Sequence, residues 1–267
     1  MFRGKSILLA LVFAIASIGV YAQASDDGHT SQTGKVQKSK SKHAMNFVKV
    51  NIPGFVVNNY NLQLERAITR RLSLGISGRY MPTGSIPFKS NILKLMGDNT
   101  DQETKDQIES LRLGNYAITP EVRLYLGKGY GQGFYLGFFY RYANFEVDNV
   151  SVEFDADGGG TEKLDLAGKL TSNTGGIQLG VQKSLGKVLV LDLWVLGAHY
   201  GTGTSLLTGT TTRTLSATEQ SHLQQTLDDI DIPFLDKEVN VNANGGSMKL
   251  DGPWGGLRMG VSLGVRF

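Results

Sequence analysis

The chain has 267 residues with 27 basic and 24 acidic side chains. Arg3 and Lys5 fall in a leader expected to be removed, which leaves 25 basic against 24 acidic residues. That balance gives no electrostatic footprint for nucleic acid, and none is expected as a partner. The absence of cysteine excludes a disulfide framework, thiol chemistry and lipid attachment of the lipoprotein kind.

Residues 1–22 read as a signal peptide. Arg3 and Lys5 form its positive region, Ile7 to Gly19 its apolar run, and Val20-Tyr21-Ala22 the cleavage site, so the mature chain is expected to start at Gln23. Residues 23–43, rich in Ser, Gly, Gln and Lys, offer almost nothing to bury and are expected to form a disordered tail. No later run is long and apolar enough for a spanning helix, so membrane residence would have to be as strands.

From residue 44 to 267 the pattern is alternation broken by connections of two lengths, with 34 Gly and 6 Pro suiting a closed, tilted ladder. Ala44–Ile52 reaches Pro53-Gly54 and returns as Phe55–Ala67, then Ile68–Arg70 turns into Arg71–Met81. Pro82 to Leu113 is long and polar. Gly114–Leu126, the glycine-rich turn Gly127–Gly133 and Phe134–Val147 follow. Asp148–Lys169 is long, Leu170–Gln182 returns, Lys183–Lys187 turns tightly, Val188–Tyr200 goes out, Gly201–Pro253 is the longest loop, and Trp254–Phe267 closes the chain. The expected fold is all-β: an antiparallel up-and-down transmembrane β-barrel of about eight strands, with short helices in the outer loops.

Period two assigns the faces. Leu62, Leu64, Leu74, Ile76, Phe134, Leu136, Phe138, Ile177, Leu179 and Leu191 belong to a lipid face, with Tyr80, Tyr116, Tyr142 and Trp254 near one set of headgroups and Phe134 and Phe267 near the other. Pro120 interrupts that face, so a bulge is expected there. The opposite register collects Glu65, Arg79, Glu121, Arg123, Arg141, Asp192 and Arg258 as an interior charge network. Eight strands leave room only for side chains, so the arginines are expected to pair with the carboxylates as a plug.

Two long connections carry helix-start patterns, Thr100-Asp101-Gln102-Glu103 followed by Ile108 and Leu111, and Ser216-Ala217-Thr218-Glu219 followed by Leu223, Leu227 and Ile230. Asp155-Ala156-Asp157-Gly158-Gly159-Gly160 has the start of a calcium loop, but Leu166 occupies the place of its bidentate glutamate, so it reads as a glycine turn. No cofactor and no metal is expected.

Phe47-Val48-Lys49-Val50-Asn51, Tyr60 to Ile68 and Leu72 to Tyr80 resemble the opening of an uncharacterised outer-membrane β-barrel family of Bacteroidota, similar in architecture to the small OmpA and OmpX-type barrels. Members often carry a Tyr-Glu-Arg-Ala element before the first short turn; Leu64 stands here in place of the tyrosine, ahead of Glu65-Arg66-Ala67. The resemblance implies an integral outer-membrane location, contact with outer-membrane lipid and lipopolysaccharide, and recognition by the barrel-assembly machinery through a terminal signal, here Val265 and Phe267. It supplies no biochemical role.

The function expected is therefore structural or surface-interacting, in a monomer, with any extracellular ligand bound by the outer loops. The alternatives are a lipid A-modifying hydrolase of barrel type and, third, a narrow pore. His199 invites the hydrolase reading, but Gly201 occupies the place of the serine in that enzyme type and Ser205 lies beyond it, so no catalytic role is assigned.

Overall fold

The chain, described here from a computed structural model over residues 45–96 and 101–267, folds as one antiparallel sheet that closes on itself. The leader and tail lie outside the described residues. The ring is built from β1 (Asn46–Asn51), β2 (Tyr60–Ala67), β3 (Leu72–Ser85), β4 (Arg112–Tyr125), β5 (Gly133–Asp155), β6 (Thr161–Leu185) and β7 (Leu189–Thr210). After β8 (Asp236–Asn242), β9 (Gly245–Arg266) completes it. Strand β1 pairs with both β2 and β9, so the ring has eight members; β8 pairs only with the first residues of β9, outside the ring. Closure leaves no exposed edge in the ring. No helix among the described residues is long and apolar enough to cross a membrane.

The two ends of the barrel differ. Three short turns and the junction of Met45 with Phe267, whose backbone groups bond at 3.1 Å, form one end. At the other end β5, β6, β7 and β9 run on as a tall wall of strands 22 to 25 residues long, while β1 and β2 stop low. Much of what reads in sequence as long loops is therefore strand: Asp148–Asp155 and Thr161–Lys169 continue β5 and β6, and Gly201–Thr210 and Gly245–Pro253 continue β7 and β9. The physical reason is that the polarity of the pattern inverts along the same strands. In the lower half, apolar side chains such as Leu64, Ile76, Phe138 and Leu179 are exposed outside and polar ones are buried inside. In the upper half, Val150, Val152, Phe154, Leu164, Leu166, Leu207, Met248 and Leu250 fill the inside as an apolar core.

Bulges shift the side-chain phase between the halves, because one extra residue moves every later side chain to the other face. On β5 the register slips between Val147 and Val150, where Asn149 has φ 62°. On β7 it slips at Val195 and Leu196, so Asp192 and Trp194 point inward below the bulge and Gly197 and His199 above it. A further irregularity falls between Met81 and Gly84 on β3. Pro120 causes none: the pairing on both sides of it keeps one register, with Pro120 itself opposite Ile76.

The connections are partly helical. Phe55–Asn59 is no strand; α1 (Ile52–Val56) begins at Asn51, whose Oδ1 accepts the Gly54 N–H at 2.8 Å. Helices α2 (Lys89–Met96) and α3 (Gln102–Ser110) occupy the β3–β4 connection. Asp101 caps α3, accepting the Thr104 N–H at 2.7 Å, and Thr100 lies outside the described residues. Helix α4 (Ala217–Asp228) has the expected capping box, with Glu219 N–H donating to Ser216 Oγ at 3.1 Å and Ser216 N–H to Glu219 Oε2 at 3.0 Å. Its stripe of Leu223 and Leu227 is fully buried, extends to Ile230, and covers the upper core.

Candidate functional site in the barrel lumen

The interior of the lower half has two storeys. The lower one is a filled ion-pair lattice. Lys49, between the outward Val48 and Val50, points inward and uses all three Nζ donors: Glu65 Oε2 at 2.6 Å, Gln182 Oε1 at 2.7 Å and Asp192 Oδ2 at 2.6 Å. Arg123 donates from Nε to Glu121 Oε1 at 2.6 Å and from Nη1 to Asp192 Oδ2 at 2.6 Å, with Glu65 Oε2 at 3.3 Å. Its guanidinium lies 4.3 Å from the centre of the Tyr135 ring.

The remaining carboxylate lone pairs are filled as well. Glu65 Oε1 accepts from Ser73 and Tyr125 hydroxyls, each at 2.6 Å, and Asp192 Oδ1 from the Tyr135 hydroxyl at 2.9 Å. Glu121 accepts from Gln63 and Gln178 amides. Glycines make the room: a Cβ on Gly75 would approach Glu121 Cγ to 3.0 Å, and one on Gly137 would meet Gln178 Cγ at 2.7 Å. The five charged side chains are at most 1% exposed, and the lattice draws side chains from β1 through β7. Removing one member of so dry a set strands the others, at a cost of about 3–5 kcal/mol.

The upper storey is a chamber. Arg79 from β3, Arg141 from β5 and Arg258 from β9 converge on a cavity of about 80 Å³, together with His199, Ser77, Thr119, Asn61, Trp194 and Trp254. Arg141 is repelled by both Arg79 and Arg258, and His199 is within electrostatic range of all three. No carboxylate lines the cavity. Arg258 stacks 4.5 Å from the Phe139 centroid and Arg79 lies 5.9 Å from that of Phe145, which gives each cation a partial, non-hydrogen-bonding partner. Yet Nε and Nη2 of Arg79, Nε and Nη1 of Arg258, and Nδ1 of His199 are buried without a hydrogen-bond partner among the described residues.

The seven interior residues read from sequence thus lie on the inner face but separate into two groups. Glu65, Glu121, Arg123 and Asp192 meet in the lattice. The expectation that every interior arginine pairs with a carboxylate is corrected: Arg79, Arg141 and Arg258 form no ion pair among the described residues, because they stand one storey above the carboxylates. Lys49 was missed, although its place between two outward valines carries the signal. His199 was missed as an interior residue because of the bulge at Val195-Leu196. Trp254 is corrected from a headgroup aromatic to an interior one, 7% exposed, packed against Phe145 with ring centres 5.8 Å apart and planes tilted by 52°. It shares the even phase of Arg258 and Ser262 and so faces inward with them.

A family model described as a protein of unknown function, DUF3575, matches residues 29–203. The chain belongs to that family. No curated protein and no solved structure matches it. The matched span contains every charged residue of the lattice and, in the chamber, Arg79, Arg141 and His199; Arg258 lies beyond it. For this DUF3575 member the chemistry must be read from the lumen itself. Every carboxylate of the lattice is engaged by a cation and further donors, whereas the chamber has buried cationic donors and no carboxylate.

Proposed function

We propose that the chain is an integral outer-membrane β-barrel with a structural or surface-interaction role and a lumen closed by its charge network, similar in architecture to the small OmpA and OmpX-type barrels and found in Bacteroidota. The observation that carries this reading is the inversion of polarity along single strands. An apolar belt facing out over a polar interior is how a strand is written for lipid, and an apolar interior under a polar surface is how it is written for water. Strands of 22 to 25 residues are more than twice the ~9–11 residues that cross a bilayer, so the upper wall and α4 stand clear of it as the face available to partners. Exposed Ile52, Phe55 and Val56 on α1 suit the interface between the two.

In this reading residues 1–22 direct export, Val265 and Phe267 on the exposed outer face present the assembly signal, and outer-membrane lipid and lipopolysaccharide surround the monomer. Eight strands give an interior just wide enough for side chains, and the Lys49–Arg123 lattice fills it. The test is current through planar bilayers holding the purified protein. Little conductance is expected; stable ion-conducting openings would establish the narrow pore instead. Release of fatty acid from lipid A, lost in His199→Ala, would establish the hydrolase.

A further inference from the structure

We infer that the chamber walled by Arg79, Arg141 and Arg258 is a binding site for a single phosphate-class oxyanion, entered beside α1. Five interior cations, Lys49, Arg79, Arg123, Arg141 and Arg258, face three interior carboxylates, Glu65, Glu121 and Asp192, a net excess of two positive charges, and all three carboxylates pair in the lattice, so the three upper arginines have no ion pair. A buried cluster of like charges with no counter-charge favours the binding of an anion. The unpartnered Nε and Nη donors of Arg79 and Arg258 are the forked type that matches a tetrahedral or planar oxyanion through paired hydrogen bonds. Aromatic rings behind two of the three guanidiniums hold them without consuming those donors.

Size and access narrow the ligand. At about 10–15 Å³ per water, 80 Å³ admits roughly five to eight waters or one oxyanion, and is too small for a sugar ring or an acyl chain. Three guanidiniums favour a multiply charged group over a monocarboxylate. The saturated lattice closes the chamber from below, and the Phe145–Trp254 pair and the apolar core close it from above. The wall is low only where β1 ends at Asn51 and β2 begins at Tyr60, and there Asn51, Gly54, Asn59 and Asn61 line the cavity with small or neutral polar groups. The same phosphate chemistry could come from a free ion or from a phosphomonoester headgroup reaching in from the lipid beside α1.

The experiment uses the purified full chain in a non-ionic, phosphate-free detergent, titrated calorimetrically with inorganic phosphate and, separately, with micelle-dispersed phosphatidic acid, against chloride as control. Saturable binding of phosphate or phosphatidic acid, at least tenfold weaker in Arg79→Gln and Arg141→Gln, supports the site, and the tighter of the two ligands names its source. A second reading needs no variant: the thermal midpoint of the wild-type protein should rise with ligand concentration, as binding to the folded state alone requires. Absence of saturable binding of either ligand with an unmoved midpoint, or binding equally strong in both variants, would overturn the inference and identify the chamber as a water-filled space.

Discussion

Lys49 on the first strand and Asp192 on the seventh, 143 positions apart, meet inside the barrel with Nζ 2.6 Å from Oδ2 and no exposure of either side chain. They join β1 to β7 over the inner face of β9, the one strand that stands between them in the ring. Asp192 also accepts from Arg123 and Tyr135, so its replacement strands two cations at once. Asp192→Asn is expected to destabilise the barrel by about 3–5 kcal/mol in reversible urea unfolding from micelles. The double replacement Lys49→Met with Asp192→Leu should recover much of that loss, because it removes both charges together. Equal stability of Asp192→Asn and wild type would show the pair to be unimportant.

Both tryptophans, Trp194 and Trp254, face the lumen. Lipids brominated on their acyl chains are therefore expected to leave the intrinsic emission of the reconstituted protein nearly unchanged. Strong quenching that vanishes in Trp254→Phe would return Trp254 to the outside of the barrel and shift the phase of β9 by one residue.

Glu219 anchors α4 to the upper wall. The Arg213 guanidinium, with Nη2 at 2.7 Å and Nη1 at 2.8 Å, holds its carboxyl well below the usual carboxylate range, aided by the Asp157 and Ser216 backbone N–H groups. Because the folded-state value is depressed, this contribution is complete above the unfolded value near 4.5 and is lost as pH falls through the folded one. The protection of the α4 amides, taken as exchange relative to the intrinsic rate at each pH, should accordingly be high at pH 7 and fall in acid, and Glu219→Gln should lower it at neutral pH. Ser216→Ala, which removes the cap, should cost about 1 kcal/mol. Protection of α4 that is the same at pH 7 and pH 3 would contradict the anchoring role.

How much of this was legible in the chain depends on which physical signal each part obeys. The lower half was, because Leu62, Leu64, Leu74, Ile76 and their counterparts alternate with small and charged residues and the short turns are written in Gly, Lys and Arg. The tall wall was not, since Val150-Ser151-Val152 and Leu164-Asp165-Leu166 also alternate but with the apolar face turned inward, and a reader following outward grease sees only a polar loop. The phase of His199 was hidden by the bulge at Val195-Leu196, although Leu196, Ala198 and Tyr200 then resume alternation on the outside. Which arginine reaches which carboxylate was beyond any one-dimensional pattern. Parity places a side chain inside, but height along the barrel, set by register between strands, decides that Arg123 meets Asp192 while Arg79 and Arg258 do not.

The central claim is that one set of strands passes from lipid to water at the polarity inversion. The chain has no native cysteine, so single replacements are clean reporters. A fluorophore placed through Phe138→Cys or Ile177→Cys, on the exposed lower belt, and through Thr161→Cys or Thr208→Cys, on the exposed upper wall, is read in vesicles against a lipid-borne and a water-soluble quencher. The account predicts quenching from lipid at Phe138 and Ile177 and from water at Thr161 and Thr208. Water quenching at all four positions would contradict it and make the barrel a protein that does not enter the bilayer.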